Sequence, residues 1–127
     1  MNLKVVSLTA IVAAAGAVPA IAHHSFAMFD AEKTVTLEGT VKEFLWRNPH
    51  SFIKIEATDE KGEVHLWTTE WASPTQLSES KLTKTSLRPG DKVVVIGAPG
   101  RDPEAYRIRV TSVTRPVDGW KWEGTIQ

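Results

Sequence analysis

No cysteine occurs among the 127 residues. That absence excludes thiolate metal sites, redox-active thiol pairs and thiol catalysis, and it leaves a packed apolar core as the source of stability. Neither sign of charge is in excess, with 15 Lys and Arg against 15 Asp and Glu. Such a balance argues against a protein whose work is to coat nucleic acid or an anionic membrane. Catalytic signatures are missing as well. There is no G-x-S-x-G, no H-E-x-x-H and no phosphate-binding glycine loop, and the scattered Asp and Glu define no acid/base pair. Internal repeats are absent, and no second hydrophobic run follows residue 22. The length and composition fit one ordinary globular domain.

What is present begins with a leader. Lys4 supplies a short positive region, residues 5–18 are apolar and rich in Ala, Pro19 breaks the run, and Ala20-Ile21-Ala22 spells an A-x-A cleavage site. The run is short for a membrane anchor. Cleavage after Ala22, with Ala17 as the alternative site, predicts export to a bacterial periplasm and no stable membrane insertion afterwards. Residues 23–33 then read as an arm, 34–115 as the domain and 116–127 as a tail holding Trp120 and Trp122.

Within the domain, Val35, Leu37, Gly39 and Val41 alternate with polar residues, the period of a half-buried strand, and Gly39 suggests a bend or bulge. Arg47-Asn48-Pro49 is a turn. A second strand is predicted over residues 51–58 and a third over 63–71, joined by a hairpin loop at 59–62. Ser73-Pro74-Thr75-Gln76 has the form of a capping box with Pro at the first helical position, so a short helix follows. The run Val93-Val94-Val95-Ile96 predicts a fourth strand buried on both faces, residues 97–104 a loop, and residues 105–114 a fifth strand. Three strands, a short helix and two strands is the order of a five-stranded OB-fold-like Greek-key barrel, an all-β class with one helix.

The four histidines carry the chemistry. After cleavage, His23 offers a free amine and a ring nitrogen, a chelating pair for a transition metal. His24 offers a second mode through the amine, the intervening backbone nitrogen and its ring. Copper suits nitrogen ligands in a tetragonal plane and stands highest in the divalent affinity order. His50, behind the Asn48-Pro49 turn, is the candidate third ligand. A backbone contact is the bland alternative for that histidine. The predicted arm, some 35 Å when extended, reaches any part of a small domain.

If residues 58 and 63 lie opposite one another, His50, Phe52, Lys54 and Glu56 share a face with His65, Trp67, Thr69 and Trp71, while Val64 and Leu66 point into the barrel. This register places Glu56 against His65 and separates His50 from His65 by roughly 20 Å, too far for one ion. It also creates a ligand face of Phe52, His65, Trp67, Trp71 and Arg101, in the region where OB-folds bind. Exposed aromatics beside basic groups stack flat ligands. Coverage by Phe26, Phe29, Trp120 and Trp122 is the competing use of that face.

At HHSFAMFD, LEGTV, WRNPHS and PGDKVVVIGAPGRDPEAYRIR the chain resembles a family of small exported bacterial proteins, the domain of unknown function 6152 family. The resemblance implies an exported, soluble single domain and carries over no catalytic residues. The His23-His24 pair is also similar to the mature N-termini of copper proteins with a histidine brace. The sequence thus predicts a non-enzymatic periplasmic protein that holds a copper-like ion through His23 or His24, with His50 as helper. The competing class is a metal-independent module that recognises a protein or small organic ligand on the aromatic face. A copper-dependent oxidase would need a confined substrate surface that the sequence does not reveal.

Overall fold

In a computed structural model, residues 27–127 are described. The predicted leader and the pair His23-His24 lie outside them, as does Phe26. Six strands form, namely β1 (Val35–Leu45), β2 (Phe52–Thr58), β3 (Val64–Glu70), β4 (Lys92–Pro99), β5 (Arg107–Arg115) and β6 (Trp120–Glu123). Among the described residues one short α-helix, α1 (Pro74–Glu79), lies between β3 and β4. The sheet order is β3-β2-β1-β4-β5-β6, and a parallel pairing of β3 with β5 closes the first five strands into a barrel. This is the expected OB-fold-like arrangement. No helix among the described residues is long and apolar enough to cross a membrane.

Period-2 patterning places the core. Leu37 and Val41 of β1, Ile53 and Ile55 of β2, Val93 and Val95 of β4, and Ile108, Val110 and Val113 of β5 are all buried. Each fully buried aliphatic side chain of this size contributes about 1.5–3 kcal/mol. Val94 and Ile96 are half-buried rather than enclosed, so β4 is covered fully on one face only. It also runs on to Pro99, through residues read as loop. The bulge between β1 and β2 falls between Val41 and Glu43, not at Gly39. Gly39 serves a different end, because a Cβ there would meet the Glu56 carbonyl and Ile55 Cγ2 on the neighbouring strand.

The hairpin between β2 and β3 overturns the predicted register. Phe52 pairs with Glu70, Ile55 with Trp67 and Thr58 with Val64, one residue away from the expected alignment. Asp59 causes the difference. Its amide donates to the Glu63 carbonyl, and its Oδ1 accepts from the amides of Lys61 and Glu63 at 2.8 and 2.9 Å. Asp59 and Glu63 thereby close a three-residue loop, with Gly62 at φ +82°. A one-residue slip exchanges the two faces of a strand. Val64 and Leu66 are accordingly exposed, at 61% and 53%, while Thr69 and Trp71 are fully buried.

Residues read as a tail join the fold. β6 pairs antiparallel with β5, Trp122 and Ile126 are buried, and Trp122 and Trp120 meet Trp71 edge-on at centroid distances of 5.4 and 6.5 Å. Helix α1 helps to hold the segment that follows β6. Ser73 caps its start by accepting from the Gln76 amide, but Gln76 does not reach back to complete the box. Its side chain instead donates to the Thr125 carbonyl at 2.6 Å and accepts from the Gln127 amide.

Candidate functional site

His50 lies just beyond the end of β2. The ladder continues past the strands through Ser51 N–H to the Ala72 carbonyl and Trp71 N–H to the Ser51 carbonyl. Ser51 is buried with Trp71, and alternation turns His50 to the outer face with Phe52. Glu70 faces the same way on β3. Its Oε1 lies 2.7 Å from His50 Nδ1, and the two side chains are only 5% and 14% exposed. An ionised carboxylate accepts and does not donate, so Nδ1 carries the proton of this bond. Nε2 lies 3.4 Å from the Gln127 carbonyl oxygen, which can only accept, so in this contact Nε2 is the donor; it is the backbone contact expected as the alternative use of this histidine.

The surroundings hold this pair in place. Glu70 is the parallel ladder neighbour of Arg109, whose Nη2 donates to the Ile126 carbonyl at 3.0 Å. With Gln76 fixing Thr125 and Gln127, the chain end is held from two sides where it meets His50. A carboxylate bonded to the Nδ1 of a His ring is an arrangement that orients metal-binding imidazoles.

Residues 10–109 match the profile of a family of unknown function, DUF6152. The chain belongs to this family. No curated protein matches it. The DUF6152 match takes in His23, His24, His50 and Glu70, and it ends before β6 and the segment that reaches His50.

The other predicted site residues of this DUF6152 chain do not form one face. Phe52 is on the outer side of β2, with the Arg47 guanidinium 4.9 Å from its ring centroid. Trp71 is enclosed in the core, its indole Nε1 without a hydrogen-bond partner. His65 and Trp67 lie at one mouth of the barrel around Tyr106, His65 stacked on it at 4.2 Å and Trp67 edge-on at 5.2 Å. Arg101 is at the same mouth, donating from Nε to the Ala27 carbonyl and from its amide to the Met28 carbonyl. The arm is docked here, with Phe29 buried and bridged to Gly100.

His65 pairs with Asp59 rather than Glu56, Nε2 to Oδ2 at 2.8 Å, and Glu63 approaches to 3.9 Å. The His65 bond, followed by the backbone bond from Glu63, holds the Asp59 carboxyl below its ordinary value of 3.8. Ligand atoms of Asp59, Glu63 and His65 gather within 4.8 Å, but Asp59 is already committed to closing the hairpin. Glu70 is the site residue that sequence reasoning missed. The misread hairpin register had placed it on the face opposite His50, and an acidic residue within an apolar strand was the signal available.

Proposed function

We propose that this DUF6152 protein is an exported transition-metal binder, with copper held by the amine and ring of a processed N-terminal His23 and by Nε2 of His50. The observation that carries the reading is the bond between His50 Nδ1 and the nearly buried Glu70, the kind of carboxylate contact that orients metal-binding imidazoles; to take the ion, Nε2 would exchange its contact with the Gln127 carbonyl for the metal. His24 takes part in the alternative terminal mode, through the amine and the intervening backbone nitrogen. Nitrogen donors of these kinds favour copper over the other common divalent ions.

Copper titration of the exported protein, its N-acetylated form and a His50→Ala variant tests the reading. Acetylation is expected to abolish tight binding, and His50→Ala to weaken it. Unchanged affinity on acetylation contradicts terminal chelation. An effect of acetylation without one of His50→Ala assigns the ion to the His23-His24 mode.

A further inference from the structure

A second candidate lies at the barrel mouth. A cleft of about 510 Å³ opens there, walled by Val35, Trp67 and Pro99 and edged by Lys33, Arg101 and Arg107. This volume is in the range of small-molecule sites, which pair an apolar wall with a few convergent polar groups. Trp67 is held edge-on by Tyr106, which His65 backs in turn, so the wall is braced.

The charges of the cleft are unequally satisfied. Lys33 Nζ is paired with Asp30 Oδ2 at 3.2 Å, and that bond keeps the Asp30 carboxyl below its ordinary value. Asp102 turns its carboxylate to the Glu104 amide. Arg101 spends its Nε on the Ala27 carbonyl. Arg107 is different. Its Nε is shielded from solvent with no hydrogen-bond partner, and its guanidinium makes no ion pair with any described residue. Residues 1–26 contain no Asp or Glu. Arg107 thus lines the cleft with no carboxylate of the described residues paired to its guanidinium, and a carboxylate is the acceptor whose geometry matches that fork.

From these observations we infer that the mouth cleft binds a small organic monocarboxylate, its carboxylate on Arg107 beside Arg101 and its flat apolar body against Trp67. The site is separate from the His50-Glu70 pair and needs no metal. A free inorganic anion would leave Trp67, Val35 and Pro99 unused, and a neutral aromatic would leave Arg107 unpaired.

Calorimetry with indole-3-acetate, its neutral amide indole-3-acetamide and inorganic phosphate, on the full exported protein in the presence of EDTA, tests this. The carboxylate is expected to bind at one saturable site, with the amide and phosphate each at least about tenfold weaker, the scale of a lost charge-assisted hydrogen bond. Arg107→Gln should weaken the carboxylate by a similar factor, leave the amide unchanged and melt no lower than the parent. Trp67→Leu should weaken carboxylate and amide alike, which keeps the test open if Arg107→Gln fails to fold. No saturable heat, equal affinity for acid and amide, phosphate binding as tight as the organic acid, or unchanged binding by Arg107→Gln would overturn the assignment. Because copper is chelated throughout, these outcomes are distinct from those of the metal titration.

Discussion

Glu70 decides what His50 is able to do. Glu70→Gln keeps the shape of the side chain but replaces the carboxylate with an amide, so the charge-assisted bond that orients the imidazole is lost. Copper affinity is expected to fall by about 10–100-fold in titration, the usual effect of removing such a partner. Removing the histidine acts on stability as well as on binding. His50→Ala leaves a nearly buried carboxylate without its partner, and urea denaturation of the metal-free protein should show a loss of about 3 kcal/mol. At Asp59 the informative variable is pH. Its carboxyl is depressed by His65, so the stabilisation is complete above the ordinary value of 3.8 and is lost as pH falls through the lower folded value. Carboxyl titration by NMR should find Asp59 below 3.8 in the parent and moved upward in His65→Ala. An unchanged value in that variant would remove His65 as the main cause.

Among the elements, β1 and β2 are bound together by a glycine. A side chain at Gly39 would run into the β2 backbone at Glu56, so Gly39→Val should cost about 1–3 kcal/mol by thermal melting, as overpacking does. The strands themselves were legible in the sequence, because alternation in β1 and β5 and the Ser73-Pro74 helix start depend on local chemistry alone. The register of β2 against β3 was not. It turns on whether 58 and 63 or 59 and 63 close the hairpin, and that choice is made by Asp59 bonding two amides of its own loop. One residue of error sent Trp67 and His65 to the wrong face and hid Glu70 from His50. The strand β6 escaped notice for another reason. Four residues around Trp120-Lys121-Trp122 are too short to show a period, and their burial depends on the distant Trp71.

Across the whole molecule, the barrel brings the chain end over the candidate metal site. Ile126 is buried, Gln76 and Arg109 bond the backbone around it, and Gln127 faces His50. Deletion of residues 124–127 should therefore cost about 2–3 kcal/mol in urea, the scale of one large buried side chain. It should also speed modification of His50 by diethylpyrocarbonate, whereas an unchanged rate would mean that the segment does not shield the ring. His23 and His50 are far apart in sequence, and their proposed meeting needs cleavage after Ala22. Native mass spectrometry of the protein expressed with its leader, loaded with copper and compared before and after N-acetylation, tests that claim most directly. A chain beginning at His23 that holds one copper ion and loses it on acetylation is the predicted result. A different first residue, or copper retained equally after acetylation, would contradict it.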